Sequence, residues 1–117
     1  MRATESIEKM YDIIKNAYYV GINHIETAPS YGDAELLIGN SIKKLAIEEN
    51  IHEKNWVITS KVLPKGDFDF LKSNFKNSLK NLNLKKVNNL AIHGLNLKQH
   101  LDWVLSGEGK KLSLIHI

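Results

Sequence analysis

Four residues in this chain are of types that, brought together, could deliver a proton to a carbonyl group. They are the carboxylate of Glu26, the phenol of Tyr31, the amine of Lys61 and the imidazole of His93. Three of them close short, largely apolar stretches: Asn23-His24-Ile25-Glu26-Thr27-Ala28, Val57-Ile58-Thr59-Ser60-Lys61 and Leu90-Ala91-Ile92-His93-Gly94. Each stretch reads as a β-strand, and a helical stretch separates each from the next. Parallel strands that end on an acid, an amine and an imidazole place those groups on one face of a sheet. In a β/α barrel that face is where chemistry occurs. Tyr31 lies five residues past Glu26, in the loop expected above the same face.

The chemistry expected of such a set is general-acid catalysis of carbonyl reduction. A free phenol titrates near ~10, too high for efficient proton donation at neutral pH. An adjacent ammonium favours the phenolate, and Lys61 is the amine placed to act so. Glu26 could hold Lys61 charged and in position, and His93 could orient the carbonyl oxygen. No hydride source is among these side chains, so a nicotinamide cofactor would have to bring one. Each residue also has an ordinary structural explanation. Glu26 and Lys61 could form a plain ion pair, His93 could be a satisfied turn histidine, and Tyr31 a packed loop residue. The shared strand-end placement favours the functional reading. His24-x-Glu26 offers only two ligands on one side of a strand, too few for zinc. His52, His100 and His116 are isolated, there is no GxSxG elbow, and Trp56 and Trp103 read as packing residues.

The elements that must position these groups follow from periodicity. Ile7, Met10, Tyr11, Ile14 and Tyr18 recur at three- and four-residue steps and predict a helix over 4–19. Thr4 or Ser6 is expected to cap it, and Gly21 to supply the left-handed residue that ends it. A strand over 22–26 follows. Pro29, Ser30, Tyr31 and Gly32 form a loop, and Asp33 is a plausible cap for a helix over 34–49. The apolar face of that helix is Ala34, Leu37, Ile38, Ile42, Leu45 and Ala46. Gly39 inside it costs up to ~1 kcal/mol relative to alanine, and close helix–sheet packing is the expected reason. A second strand over 56–62, a helix over 69–82 capped by Asp67 or Asp69, and a third strand over 87–93 complete three units. A fourth helix begins after Asn96 and ends at Gly107 and Gly109, and residues 112–117 could form a fourth strand. Units of this size, ~30 or more residues each, are those of βαβ structure and imply a parallel sheet. Neither GxGxxG nor GxxxxGK[ST] is present. The polar groups sit after several strands instead, which favours a barrel over a doubly wound sheet.

The chain has 117 residues. A complete (β/α)8 barrel needs roughly 200 or more, so three to four of eight strands are expected, in one incomplete barrel domain spanning 1–117. No apolar run approaches the ~20 residues of a membrane span, and the start lacks a signal peptide's apolar centre. There are no cysteines, which excludes disulfides, zinc-thiolates and iron–sulfur sites within this stretch. A cytoplasmic location is expected. The net charge of +3 is small. Lys72, Lys76 and Lys80 fall on one helix face, opposite Phe75, Leu79 and Leu82, as a solvated surface would. Neither nucleic acid nor membrane is an expected partner.

At these residues the chain resembles the aldo/keto reductase family. The carriers are Gly21-Ile22-Asn23-His24-Ile25-Glu26-Thr27-Ala28-x-x-Tyr31-Gly32-x-x-Glu35-x-x-x-Gly39, then Thr59-Ser60-Lys61, then Ser78-Leu79-x-x-Leu82 with Ile92-His93-Gly94. The resemblance covers nearly the whole chain. It implies an NADPH-dependent reductase of aldehydes or ketones on a (β/α)8 barrel. Tyr31 would be the acid, Lys61 the residue that lowers its pKa, His93 the carbonyl orienter and Glu26 the lysine's partner. Glu26 and Thr27 would also touch the cofactor. Most of the family has aspartate where this chain has Glu26. The wording His24-Ile25-Glu26-Thr27-Ala28 looks like that of a bacterial sub-group with glutamate there, whose members often carry a C-terminal iron–sulfur segment.

The same resemblance implies an N-terminal fragment. The first barrel strand would precede Met1, and most cofactor contacts would follow Ile117. The six residues 112–117 resemble the translated end of a sequencing adapter, so a non-native tail is expected there, with an ordinary barrel strand as the alternative. Such a fragment, alone, is expected to be inactive and to self-associate through open sheet edges. A non-catalytic binding or regulatory barrel is the alternative function for the complete parent.

Overall fold

The computed structural model describes residues 2–94 and 97–106. The chain begins with helix α1, Arg2–Tyr19. Thr4 and Ser6 therefore lie inside its first turns and do not precede it. Tyr11 and Ile14 are buried, and Met10 and Tyr18 pack against the same core, as the apolar stripe requires. Gly21, at φ +97°, ends the helix in the region that favours glycine. Three short strands follow in turn: β1, His24–Glu26; β2, Val57–Val62; β3, Asn89–Ile92. Their starts at 24, 57 and 89 are 33 and 32 residues apart. Helix α2, Ala34–Glu48, and a single 3-10 turn, Glu53–Asn55, separate the first two strands. Helix α3, Phe68–Leu82, separates the second and third, and helix α4, Lys98–Leu105, follows. The strands are shorter than the apolar runs suggest, although Asn23 O accepts from Val57 N–H and Asn88 N–H donates to Ile58 O just outside them, both at 2.9 Å. The expected fourth strand, and the glycines expected to end α4, lie outside the described residues.

The sheet is parallel and its order is β1-β2-β3. His24 pairs with Val57 and Glu26 with Thr59, while Thr59 pairs with Asn89 and Lys61 with Ala91. Among the described residues, strands that are neighbours in sequence are neighbours in the sheet. Alternation sorts the side chains. Ile58, Ser60 and Val62 are buried, whereas His24, Glu26 and Asn89 are exposed on the other face. One face thus carries the helices and the other is polar, as in one arc of a β/α barrel.

The core lies between the helices and the first face. Ile38, Ile42 and Leu45 of α2 meet Leu71, Phe75 and Leu82 of α3 and the inward residues of β2. Side-chain bonds fasten α1 to the end of α2. Tyr19 donates to Glu49 at 2.7 Å, Lys15 pairs with Glu49 at 3.3 Å, and Tyr11 donates to Glu48 at 3.1 Å. Burial, helped by Glu48, pushes the Tyr11 phenol up to about 12. The Tyr19 hydrogen bond, then that of Lys15, holds the Glu49 carboxyl below its ordinary value. At the other end of the molecule, the cap of α3 is Asp67, whose carboxylate accepts from Phe70 N–H at 2.9 Å. Asp33 occupies the cap position of α2 but makes no side-chain cap bond.

Gly39 is not explained by helix–sheet packing. A Cβ there would stand 2.5 Å from the carbonyl oxygen of Leu82 and 2.9 Å from that of Asn81. The last turn of α3, not the sheet, comes against the backbone of α2. In an open helix interior Gly→Ala gains up to ~1 kcal/mol. Here the methyl would meet rigid backbone, so Gly39→Ala should instead cost roughly 1–3 kcal/mol. Thermal unfolding followed by circular dichroism measures this. A variant that melts higher than the parent would show that the two helices do not meet at this point.

Candidate active site

The site assembles at the carboxyl ends of the strands. Glu26 is the last residue of β1, Lys61 the next to last of β2, and His93 the first beyond β3. The ladder still positions His93, because its N–H donates to the Val62 carbonyl at 2.8 Å. Tyr31 sits in the turn that leads into α2. Its N–H donates to Ala28 O and its carbonyl accepts from Ala34 N–H, both at 3.1 Å. Two short backbone bonds thus hold the phenol's stem between β1 and α2.

The four side chains meet. Lys61 Nζ lies 2.9 Å from Glu26 Oε1 and donates to Tyr31 Oη at 3.1 Å. The same ammonium donates to the Thr27 carbonyl at 3.4 Å and stands 4.8 Å from the centre of the Tyr31 ring. The His93 ring meets the Tyr31 ring edge-on, with centroids 5.6 Å apart. Lys61 is largely buried, with 11% of its side chain exposed, against 61% for Glu26. An exposed carboxylate of this kind adds little to stability, so the value of the pair lies in orientation. The additional methylene of Glu26, relative to aspartate, does not prevent ion pairing.

The electrostatics follow from these contacts. Desolvation pulls the Lys61 ammonium down, but hydrogen bonds to Glu26 and Tyr31 outweigh it and hold the group above its ordinary 10.5. The hydrogen bond from Lys61 holds the Glu26 carboxyl below its ordinary 4.5, and the charge of Lys61 and then of His24 add to it. The lowered carboxyl contributes stability above 4.5 and loses it as pH falls through its folded value. The raised amine contributes below 10.5 and loses it as pH rises through its folded value. The pair is therefore intact throughout the neutral range.

Three sets of hydrogen bonds around this centre have no counterpart in the sequence spacing. Ser30 Oγ lies 3.4 Å from His93 Nδ1. On the polar face of the sheet, Thr59 Oγ1 is 3.0 Å from His24 Nε2 and accepts from Asn89 Nδ2 at 3.3 Å. Beneath Lys61, Ser60 donates to Glu35 at 2.8 Å, and the Asn81 amide lies 3.5 Å from the same carboxylate. The strand alternation of Thr59, Ser60 and Lys61 foretells that Ser60 faces the helices, but its partner, 25 residues away, has no local signature. Three clefts open beside the centre, one of them, of 360 Å³, lined by Glu26, Thr27 and Tyr31, and the other two sharing His93. One of 310 Å³ includes Ser30, Lys61 and Phe70, and one of 540 Å³ includes Pro64, His100 and Trp103. Trp103 Nε1–H donates to the Gly66 carbonyl at 2.9 Å and ties α4 to the rim. Thr27, expected at the cofactor, is 1% exposed, and its hydroxyl is buried with no hydrogen-bond partner. A hydroxyl left over at the end of β1, beside Glu26, fits a ligand with a polar group to offer.

The sequence profile of the Aldo/keto reductase family matches residues 3–105. The chain belongs to the aldo/keto reductase family. Among solved structures, it is similar to a Pseudomonas aeruginosa protein described as an aldo-keto reductase. That similarity has 26% identity and a TM-score of 0.73 over 92% of this chain and 42% of the other. It is also similar in fold to the aldose reductase of Schistosoma japonicum, at 23% identity and TM-score 0.62, over 74% of this chain and 28% of the other. For the aldose reductase of Giardia lamblia the values are 21% and 0.64, over 74% and 29%. No curated protein matches the chain. The chain spans less than half the length of these structures. Its three parallel strands and alternating helices correspond to part of the barrel of an aldo/keto reductase.

Replacing Glu26 tests the ion pair directly. In Glu26→Gln the counter-charge is gone while the desolvation of Lys61 remains, so the Lys61 amine should titrate lower than in the parent. Side-chain NMR of Lys61 across the alkaline range reads this shift. An unchanged titration would show that Glu26 is not what holds the ammonium.

Proposed function

We propose that this chain carries the proton-donating half of an NADPH-dependent oxidoreductase that reduces aldehydes or ketones. The observation that supports this most is the 3.1 Å hydrogen bond between a largely buried ammonium and the Tyr31 phenol. Tyr31 Oη holds the proton that passes to the carbonyl oxygen as the C=O π bond breaks. The Lys61 ammonium beside it stabilises the phenolate left behind. Glu26 keeps Lys61 charged and in place. His93, held by Ser30 and by the ladder, offers a ring N–H to the carbonyl oxygen. A dihydronicotinamide, when bound, supplies the hydride to the carbonyl carbon and is oxidised. Glu26 and the unsatisfied hydroxyl of Thr27 are the residues of this chain that would help to hold it. The intact Glu26–Lys61 pair supports the catalytic reading over that of a barrel that kept the fold without the chemistry.

The activity is assigned to the complete parent protein. There, NADPH oxidation with simple aldehydes should fall roughly 100-fold or more in Tyr31→Phe, the scale of general-acid catalysis. Equal rates in the two proteins would remove Tyr31 from the mechanism.

The 117-residue chain alone is proposed to be inactive and to associate with further copies of itself. Among the described residues β1 and β3 each pair only with β2. Along the open edge of β1 runs a 360 Å³ groove lined by Met10, Ile13, Ile14, Ala17, Ile22 and Ile25, which extends to Glu26, Thr27 and Tyr31. Ile13 is 64% and Ile22 56% exposed. Such an apolar edge favours pairing with another strand. Sedimentation of the purified chain should show oligomers, and a sharply melting monomer would refute the proposal.

A further inference from the structure

Among the described residues, Glu35 is the only fully buried carboxylate, at 2% exposure. Nothing in the proton transfer uses it. Taking a carboxylate out of water is costly unless its oxygens are satisfied, and here they are shared between two elements. Oε2 accepts from the Ser60 hydroxyl at 2.8 Å, and Oε1 lies 3.5 Å from Asn81 Nδ2. Glu35 itself stands in the first turn of α2, where the helix dipole favours negative charge. One side chain thus ties the start of α2 to β2 and reaches the end of α3.

The ends of the 2.8 Å bond flank the two residues whose spacing matters most. Ser60 immediately precedes Lys61, and adjacent strand residues point to opposite faces. Anchoring Ser60 on the helix side therefore sets the height of Lys61 at the mouth. Glu35 follows the turn in which the Tyr31 carbonyl accepts from Ala34 N–H. Anchoring Glu35 therefore sets the base from which Tyr31 projects. A slide of β2 past α2 by one ångström would break the Ser60–Glu35 bond and separate Lys61 Nζ from Tyr31 Oη together. We propose that Glu35 is a positioning residue, which acts through Ser60 to hold the Lys61 ammonium at hydrogen-bonding distance from the Tyr31 phenol. This rests on the reading of Tyr31 and Lys61 as the proton-donating pair.

The test uses the complete protein and four variants: Ser60→Ala, Glu35→Ala, Glu35→Gln and Tyr31→Phe. Ser60→Ala removes one oxygen and should fold even if Glu35→Ala does not. Both should lower kcat roughly 10- to 100-fold with KM changed less than about twofold, the pattern of a displaced catalytic pair rather than lost binding. The alkaline limb of the pH–rate profile should move with them. Glu35→Gln keeps an acceptor for Ser60 and should retain kcat within about threefold. If Ser60→Ala lowers the melting temperature but leaves kcat and the pH profile of the folded protein unchanged, Glu35 is structural only and the proposal is overturned. If Tyr31→Phe itself keeps the parent's kcat, the proton-donating reading fails instead, and the two failures are thereby distinguished.

Discussion

A largely buried lysine ammonium at the carboxyl end of a sheet cannot be left without acceptors. Lys61 is that ammonium, and the local structure converges on it. β1 ends so that Glu26 can reach it, the chain then turns so that the Thr27 carbonyl and the Tyr31 hydroxyl face it, and the parallel ladder sets the height at which they meet. The register is what makes this possible. A shift of one residue in β2 would send Lys61 into the helices and Ser60 to the mouth. The buried Ser60–Glu35 bond and the apolar neighbours Ile58 and Val62 oppose that shift. The mouth is thus defined from beneath, by side chains on the opposite face of β2.

The fold was largely legible in the sequence. The stripe of α1, the apolar face of α2 and the alternation of β2 each announced their element, because burial imposes its period on the residue types. Boundaries moved by one or two residues, where capping and ladder partners rather than periodicity decide. Asp67 could be recognised as a cap because an acid before a helix has a local bond to make. Asp33 looked the same and makes none. Gly39 lies against α3 rather than against the sheet that its place in a βαβ unit suggests. A glycine announces that something approaches, but whether a strand or a helix does so depends on packing between elements more than forty residues apart.

The candidate site was legible in its members and not in their supports. Glu26, Tyr31, Lys61 and His93 stood out because strand ends on one face must lie near one another. The bonds Ser30–His93, Glu35–Ser60 and His24–Thr59–Asn89 did not. Serine, threonine and asparagine occur everywhere in turns and on strands, and their partners here lie between 25 and 63 residues away. The position of Thr27 at the end of β1 could be read from its strand, but not that its carbonyl would be engaged by the central lysine while its hydroxyl stays buried without a partner.

The contact at Gly39 reaches further than its own helix. Where eight βα units close into a ring, every step from one unit to the next must turn by about one eighth of a circle. The step from α2 to α3 is taken with backbone against backbone, at a separation that a single methyl group would widen. Hydrogen at that one carbon thus helps to set the curvature of the wall. In a ring built this way curvature sets the width of the opening, so a hydrogen atom on the helix side governs how wide the mouth around the phenol can be.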